Sequence, residues 1–178
     1  MKNIEVSKLL SYLLRHNPGA VELQLDEEGW ANVTELINLC NKHNYHFKFE
    51  QLEQVVSEND KQRFAWNTDK SCIRASQGHS IEVELNLEPV IPPDVLYHGT
   101  VQQFLEAIFE NGIKRMNRQH IHLSATLETA KQVGSRRGEP VILVVDSKAM
   151  FKDGYRFYLS ANGVWLTDSI PSGYLSIL

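Results

Sequence analysis

The sequence predicts an α+β protein with two lobes, residues 1–90 and 91–178. Apolar residues recur at helical spacing before residue 57, and short alternating or β-branched runs dominate after residue 94. A proline-rich stretch, Glu88–Pro93, separates the two patterns and predicts a linker or a stiff crossing. A chain of 178 residues can form one large hydrophobic core or two small ones.

Three helices are predicted in the first lobe. The first ends at Asn17-Pro18-Gly19, and the second begins after Asn32, whose side chain can cap it together with Glu35. The third runs from about Phe49 to Ser57. The apolar face of the first helix consists of Val6, Leu9, Leu10, Leu13 and Leu14.

A β-hairpin is predicted next. Two short strands, Arg63–Trp66 and Ser71–Ala75, flank the turn-forming sequence Asn67-Thr68-Asp69-Lys70. Three helices followed by a hairpin is the element order of a winged-helix module, so the first lobe is predicted to be winged-helix-like. From Ile81 to Leu87, apolar and polar residues alternate, which predicts a half-buried extended segment before the linker.

The second lobe is predicted to contain a mixed, largely antiparallel sheet. A continuous apolar run, Val141–Val145, predicts a buried central strand, and Asn162-Gly163 predicts a hairpin turn. The other predicted elements are strands at Val95–His98, Ile121–Ser124, Phe157–Leu159 and Val164–Thr167, a helix at Val101–Asn111 that ends at Gly112, and a short helix from Thr126.

The charge distribution predicts a basic face on an acidic protein. The net charge is −4, yet Lys61–Ser80 holds four cations and one acid, and Gly112–Leu123 holds three cations and no acid. A solvated surface with uneven charge is the alternative, and it stays open at this point.

Several classes of protein are disfavoured. No stretch approaches the roughly 20 apolar residues that span a bilayer, and the N-terminus has no apolar signal core, so we expect no membrane association. Cys40 and Cys72 have no CxxC spacing, which predicts buried thiols, a cytoplasmic location and no metal site. The absence of Gx(4)GK[ST] and GxGxxG argues against P-loop NTPases and Rossmann dehydrogenases.

Basic residues at the ends of predicted elements are candidates for binding an anionic substrate. Arg15 and His16 lie in the last turn of the first helix, and Arg74 lies on a strand. Arg136 and Arg137 follow a glycine in the second lobe. Taken singly, each arginine is also explained as a surface cation that extends into water.

Two histidines at predicted strand ends are the second set of candidates. His98-Gly99-Thr100 and His122-Leu123-Ser124 each combine a histidine with a small polar residue, and Gly99 would let a ligand approach the backbone closely. Histidines satisfied in the core or on a strand edge are the alternative. The three tryptophans, Trp30, Trp66 and Trp165, are expected to be packing residues.

In combination, these motifs resemble the RNA 2'-phosphotransferase family, in its order and with similar spacing, over nearly the whole chain. The motifs are Leu13-Leu14-Arg15-His16-Asn17-Pro18, Ile73-Arg74-Ala75-Ser76-Gln77-Gly78-His79-Ser80, Leu96-Tyr97-His98-Gly99-Thr100, Ile121-His122-Leu123-Ser124 and Val133-Gly134-Ser135-Arg136. Arg137 is a departure, because a histidine or another polar residue is equally expected after Arg136.

The resemblance implies a winged-helix-like first lobe and an ADP-ribosyltransferase-like second lobe. It implies an NAD-dependent transferase that removes an internal 2'-phosphate from RNA through an ADP-ribosylated RNA intermediate. The products would be RNA with a 2'-hydroxyl, ADP-ribose 1'',2''-cyclic phosphate and nicotinamide, as in tRNA splicing. The implied catalytic residues are Arg15, His16, Arg74 and Arg136, and the implied NAD-binding residues are His98, Gly99, Thr100, His122 and Ser124.

The implied chemistry needs cations and no metal. Arginine is always charged and bidentate toward phosphate, and Arg74 and Arg136 are expected to hold the 2'-phosphate. Arg15 and His16 are expected at the phosphate or the leaving group, with His16 as a proton carrier. The expected partners are NAD and a 2'-phosphorylated, tRNA-like RNA, and a monomer is the default.

Two alternatives remain from the sequence. One is an ADP-ribosyltransferase with the same NAD lobe that acts on another phosphorylated or nucleic-acid acceptor. If its acceptor were instead a protein or a small molecule, it would not need Arg15, His16 and Arg74 in a separate lobe. A non-catalytic, nucleic-acid-binding winged-helix protein would leave His98-Gly99-Thr100 and the second lobe unexplained.

Overall fold

The computed structural model describes all 178 residues, and these form two compact units, Met1–Asn86 and Leu87–Leu178. The sequence predicts a boundary between residues 90 and 91, inside the proline-rich stretch. Each unit has its own hydrophobic core. Both units contain helices and strands, so the structure is mixed α/β. All the sheets are small and antiparallel.

The first unit contains three helices and one three-stranded antiparallel sheet. Its helices are α1 (Asn3–Arg15), α2 (Val33–Lys42) and α3 (Phe49–Ser57), and its strands are β1 (Ala31–Asn32), β2 (Phe64–Trp66) and β3 (Cys72–Ala75). The three predicted helices and the predicted hairpin of β2 and β3 are confirmed. The strand β1 was not predicted, because two residues are too few to show a period.

Local signals explain where the helices of the first unit begin and end. Asn32 caps α2, since its side-chain oxygen accepts a hydrogen bond of 3.0 Å from the backbone N–H of Glu35. The α1 helix buries its apolar face completely or nearly so and ends where Asn17 and Pro18 begin a short 3₁₀ turn. The α1 and α3 helices pack on each other and enclose the core of this unit.

The order of strands in the first sheet is β1-β3-β2, so β3 is the central strand. Ala31 of β1 lies opposite Ile73 of β3, and Ala65 of β2 lies opposite Arg74. Ile73 and Ala75 are fully buried, whereas Arg74, between them, points to the other face of the sheet. Because its neighbours face the core, the half-buried side chain of Arg74 lies on the opposite face of the sheet.

The second unit has eight strands and three helices. Its strands are β4 (Leu96–Val101), β5 (Ile113–Lys114), β6 (Ile121–Leu123), β7 (Pro140–Val145), β8 (Phe157–Leu159), β9 (Trp165–Thr167), β10 (Ser169–Ile170) and β11 (Leu175–Ile177). Its helices are α4 (Leu105–Asn111), α5 (Leu127–Gly134) and α6 (Ser147–Lys152). The sheet orders are β11-β7-β4, β6-β9-β8 and β10-β5.

The predicted central strand and the predicted hairpin of the second unit are confirmed. The β7 strand lies between β4 and β11, and β8 pairs with β9 around the Asn162-Gly163 turn. The predicted helix at Val101–Asn111 begins later than expected. Pairing with β7 extends β4 as far as Val101, a 3₁₀ turn follows, and the α-helix begins only at Leu105.

Two further features of the fold are the lengths of the helices and the positions of the two cysteines. None of the six helices is both long enough and apolar enough to cross a membrane. Both cysteines are free; Cys40 is buried, as predicted, and Cys72 is half-buried. Burial raises the pKa of the Cys40 thiol to about 11, so this residue acts as an apolar core side chain.

Candidate active site

The segment of residues 74–80 gathers the candidate residues of the first unit. It begins with Arg74 on β3 and turns back at Gly78, which has a φ of +88°. The backbone N–H of Ser80 donates a 2.9 Å hydrogen bond to the carbonyl oxygen of Arg15, at the end of α1. The 74–80 segment therefore carries one candidate residue and is bonded to the turn that carries two others.

Arg15 is held against this segment by its guanidinium group. A Cβ atom built on Gly78 would lie 3.6 Å from Nη1 of Arg15, which is ordinary van der Waals contact. The glycine is therefore favoured by its backbone conformation and not by lack of space. On its other side, Nη2 of Arg15 lies 3.5 Å from the carbonyl oxygen of Arg63, a long and weak contact.

His16 follows α1 directly and is largely exposed. Its Nδ1 lies 2.9 Å from Oγ of Ser80, and that hydroxyl also lies 3.5 Å from the carbonyl oxygen of Arg15. A hydroxyl has one hydrogen, and a carbonyl can only accept. When the Ser80 hydroxyl donates its hydrogen to the Arg15 carbonyl, it can only accept from Nδ1–H of His16. A neutral imidazole ring has one N–H, so Nε2 of His16 is then unprotonated.

Arg74 is stacked on an aromatic ring. Its Cζ lies 4.4 Å from the centre of the Trp30 ring, and its Nη1 lies 3.5 Å from a carboxylate oxygen of Glu28. Nε1–H of Trp30 in turn donates to that same carboxylate oxygen at 3.3 Å. The Arg74 side chain is 22% exposed, so it is not sealed off from an anion in solvent.

Glu28 and Trp30 contact the candidate residue Arg74, and sequence reasoning missed both contacts. Trp30 was expected to be a packing residue, but its ring is half-buried and supports Arg74 as well. The pairing of Ala31 with Ile73 brings the segment that carries Glu28 and Trp30 next to β3, which carries Arg74. No periodicity or motif could have revealed this contact, because it depends on the register of a two-residue strand.

In the second unit, His98 of β4 has a defined protonation. Its Nδ1 lies 3.2 Å from the carbonyl oxygen of His122, which can only accept, so Nδ1 carries the hydrogen. Burial lowers the pKa of His98, and the hydrogen bond to His122 offsets this only in part. His98 is therefore a neutral imidazole at neutral pH, with Nε2 as a hydrogen-bond acceptor.

Gly99 and Thr100, the next two residues of β4, lie under α5. A Cβ on Gly99 would lie 2.0 Å from the carbonyl oxygen of Ala130, and a Cβ on Gly134 would lie 3.1 Å from the carbonyl oxygen of Thr100. The two glycines let strand and helix touch backbone to backbone. The sequence predicted close approach of a ligand at Gly99, and the close approach in the structure is that of α5.

Ser124 lies beside the same strand. Its backbone N–H donates to the carbonyl oxygen of Tyr97 at 2.8 Å, and the N–H of Tyr97 donates back at 2.9 Å. Together with the bond between His98 and His122, these contacts join β4 to the β6 segment. The predicted NAD-binding residues of the second unit are thus neighbours.

The predicted catalytic residue Arg136 is exposed in a 3₁₀ turn, Ser135–Arg137, directly after α5. Arg137 in this turn lies 5.8 Å from the centre of the Phe104 ring. The pKa of Arg118 is lowered by burial and further by the charges of Arg137 and Arg136, so the three cations are close together.

Arg118 was not predicted as a site residue. Its Nη1 lies 3.1 Å from Nδ1 of His122. The only sequence signal was the acid-free stretch Gly112–Leu123, which contains both residues. The chain has no group of three or more His, Cys, Asp or Glu side chains that could hold a metal ion.

Comparison with known proteins gives one consistent result. The family model described as "RNA 2'-phosphotransferase, Tpt1 / KptA family" matches residues 1–169. A Flavobacterium johnsoniae protein named "Probable RNA 2'-phosphotransferase" is 57% identical over 170 residues, which is 96% of this chain and 93% of that protein.

Two further relatives carry the same name. The Fusobacterium nucleatum protein is 51% identical over 174 residues, with 97% of each chain covered. The Streptomyces coelicolor protein is 49% identical over 174 residues, with 98% of this chain and 94% of that protein covered. All three alignments include every candidate residue region, since each spans at least 96% of this chain.

Proposed function

Because the chain belongs to the RNA 2'-phosphotransferase, Tpt1/KptA family and is therefore a transferase, we propose that it removes an internal 2'-phosphate from RNA with NAD as co-substrate. The reaction passes through ADP-ribosylated RNA and gives 2'-hydroxyl RNA, ADP-ribose 1'',2''-cyclic phosphate and nicotinamide. The observation that carries the proposal is the 74–80 segment, which bears Arg74 and contacts both Arg15 and His16.

Arg74 and Arg136 hold the 2'-phosphate in this proposal. A phosphate next to a phosphodiester concentrates negative charge, and arginine offsets it with a permanent charge and paired donors. The Trp30 ring and the Glu28 carboxylate restrict the guanidinium of Arg74 before the substrate arrives. A cation held in place in this way stabilises charge on a transferring phosphoryl group without further reorganisation.

His16 moves a proton in this proposal, and Arg15 stabilises the adjacent negative charge. The contact of Nδ1 with Ser80 orients the imidazole, and the Arg15 guanidinium lies near Gly78 of the same 74–80 segment. Departure of the RNA 2'-oxygen requires a proton, and histidine is the side chain whose ordinary pKa lies nearest neutrality. An exposed histidine at the end of a helix can both take up this proton and deliver it.

The residues of the second unit fit a dinucleotide. Nε2 of His98 is a neutral acceptor suited to a ribose hydroxyl, and Thr100 and Ser124 lie near His98 in the same unit. NAD supplies the ribose carbon that receives the 2'-phosphate, with nicotinamide as its leaving group. Gly99 contributes through packing, because it allows α5 to lie on β4.

The architecture of the two units supports the lobes that the proposal requires. Three helices and an antiparallel sheet whose hairpin is β2–β3 form the first unit, in an order compatible with a winged-helix-like lobe that binds RNA phosphates. The second unit combines small antiparallel sheets with short helices, as expected for an ADP-ribosyltransferase-like lobe that binds NAD. The RNA, a tRNA-like 2'-phosphorylated junction, is held mainly through phosphate contacts.

The test is incubation of the full chain with NAD and a short RNA that carries one internal 2'-phosphate. The same RNA with a 2'-hydroxyl is the substrate control, and products are separated by chromatography and identified by mass. Release of nicotinamide and of ADP-ribose cyclic phosphate with the 2'-phosphate RNA alone is the expected result. Arg74→Ala is expected to accumulate ADP-ribosylated RNA, whereas Lys70→Gln, a cation change in the turn of the same hairpin, is expected to leave turnover unchanged.

The outcomes separate the proposal from its rival. NAD consumed with transfer of ADP-ribose to an RNA that has no 2'-phosphate would assign the chain to transfer onto another nucleic-acid acceptor. NAD left intact, with the 2'-phosphate RNA unchanged, would contradict the proposed reaction.

A further inference from the structure

The contact between Arg118 and His122 fixes the protonation of a histidine in the second unit. Nη1 of Arg118 lies 3.1 Å from Nδ1 of His122. A guanidinium group has only N–H donors and no acceptor. Nδ1 of His122 is therefore the unprotonated, accepting nitrogen, and the ring is neutral with its hydrogen on Nε2.

We propose that Arg118 is a positioning residue that holds the His122 ring so that Nε2–H donates to an oxygen of the bound dinucleotide. The identity of the ligand rests on the proposed function, whereas the contact between Arg118 and His122 is independent of that function. The recognised group is an acceptor, either a phosphate or a ribose oxygen. Arg118 acts through His122, so removal of Arg118 changes binding only while His122 is present.

The backbone of His122 is already fixed on both sides, which leaves only the ring to be oriented. His122 pairs with Leu166 in β9, and its carbonyl oxygen accepts the hydrogen bond from His98. These bonds set the position of the Cα atom but not the side-chain torsions. The bond from Arg118 to Nδ1 favours one orientation of the ring.

Positive charge around Arg118 also disfavours protonation of His122. The pKa of Arg118 is already lowered, first by partial burial and then by the charges of Arg137 and Arg136. A proton on Nδ1 of His122 would break the bond from Arg118 and place one more cation beside this group. The arrangement therefore keeps His122 neutral.

His98 and His122 then offer opposite groups to a ligand. His98 carries its hydrogen on Nδ1, bonded to the His122 carbonyl, and has Nε2 as an acceptor. His122 accepts at Nδ1, from Arg118, and has Nε2–H as a donor. A dinucleotide carries both kinds of partner, since its ribose hydroxyls donate and its phosphates accept.

The first test is the ring-nitrogen NMR spectrum of the full chain labelled with ¹⁵N-histidine. His122 is assigned by its loss in His122→Gln. We expect an unprotonated Nδ1 and a protonated Nε2 at neutral pH, and in Arg118→Met we expect Nδ1 to take up a proton about one pH unit higher. Arg115→Met, a change on the same acid-free stretch, is the control and should leave the His122 resonances unchanged. A protonated Nδ1 in the wild-type protein at neutral pH would overturn the inference.

The second test is a double-mutant cycle on NAD affinity, measured by isothermal titration calorimetry. Arg118→Met should weaken NAD binding about fivefold in the wild-type background and less than about twofold in a His122→Gln background. The glutamine keeps an N–H near the position of Nε2 but has no nitrogen at the position of Nδ1. An equal loss in both backgrounds would show that Arg118 binds the ligand directly, and would overturn the inference.

The two tests also separate this inference from the proposed function. If the wild-type protein binds no NAD, the proposed function and the ligand of His122 are both wrong. The nitrogen spectrum then still decides whether Arg118 fixes the His122 ring.

Discussion

Arg74 is stacked on Trp30 with its Cζ atom 4.4 Å from the ring centre, although Arg74 lies on β3 and Trp30 directly precedes β1. Trp30 thus connects the fold to the proposed chemistry, because its ring limits the directions in which the guanidinium can point. The Glu28 carboxylate bonds to the indole N–H and lies 3.5 Å from Arg74. The ion pair of Arg74 and Glu28 is partly exposed, so solvent screens it. Stacking on Trp30 therefore contributes more than ion pairing to the placement of the Arg74 guanidinium.

The first prediction concerns this stacking. Trp30→Leu should weaken binding of RNA with an internal 2'-phosphate about fivefold, because a partly exposed cation–π contact contributes on the order of 1 kcal/mol. Binding of the matched 2'-hydroxyl RNA should be unchanged, since Arg74 is proposed to hold the phosphate. Fluorescence anisotropy with the two RNAs measures both affinities.

Trp30→Phe keeps an aromatic face under Arg74 and is the matched control for that experiment. It should retain most of the preference for the 2'-phosphate. Equal weakening for both RNAs in Trp30→Leu would contradict the role proposed for the ring.

The second prediction concerns the bond between His16 and Ser80, whose atoms Nδ1 and Oγ lie 2.9 Å apart. Ser80→Ala should lower turnover about three- to tenfold, in line with the loss of one side-chain hydrogen bond. Ser80→Thr keeps the hydroxyl and should restore most of the activity. The pH–rate profile of Ser80→Ala should change only in the limb that disappears in His16→Asn, and a profile altered elsewhere would exclude a role for Ser80 in orienting His16.

Local signals in the sequence predicted local features correctly. The Asn32 cap is an example, because residues three apart must meet at the start of a helix. The β2–β3 hairpin is another, because the turn sequence and the flanking strands are contiguous. Arg15 and His16 were predicted at a helix end for the same reason, and the structure places them there.

Contacts between distant segments could not be predicted in this way. The stacking of Trp30 on Arg74 depends on the register of β1, and the bond between His98 and His122 joins residues 24 apart. The sequence also could not predict that β7 would extend β4 to Val101 and so delay the start of α4. In each case the deciding partner lies on another element, and a single sequence without that partner carries no period or motif to reveal it.

The third prediction is a pH dependence of stability that comes from His98. Burial lowers its pKa in the folded protein below the ordinary value of 6.5, so the unfolded chain takes up this proton first as the pH falls. The contribution of neutral, buried His98 to the free energy of unfolding is complete above about pH 6.5. It is lost as the pH falls further, with a slope of up to about 1.4 kcal/mol per pH unit. The pKa of His120 is also lowered, mainly by burial, and this contributes a slope of the same sign.

His98→Asn is the variant for this measurement, because the asparagine amide can still donate to the His122 carbonyl. Urea unfolding between pH 7.5 and about 5.5 should show a shallower fall in the free energy of unfolding for this variant than for the wild-type protein. His46→Asn, a change at an exposed histidine, should keep the wild-type slope. Equal slopes for wild type and His98→Asn would mean that burial of His98 does not depress its protonation.

The last prediction concerns the glycine contact between β4 and α5. A Cβ on Gly99 would lie 2.0 Å from the Ala130 carbonyl oxygen, so Gly99→Ala must move the helix and should cost about 3 kcal/mol. For a chain of 178 residues that unfolds as one unit, this cost lowers the melting temperature by roughly 6–12 °C, which circular dichroism measures. Gly134→Ala should cost less, since its nearest contact, with Cβ of Pro140, would be 2.9 Å rather than 2.0 Å, and Gly173→Ala, with open space around it, should be near neutral. If Gly99→Ala melted like Gly173→Ala, α5 would not rest on β4 at this glycine, and Arg136, which follows α5, would lose the structural basis for its placement.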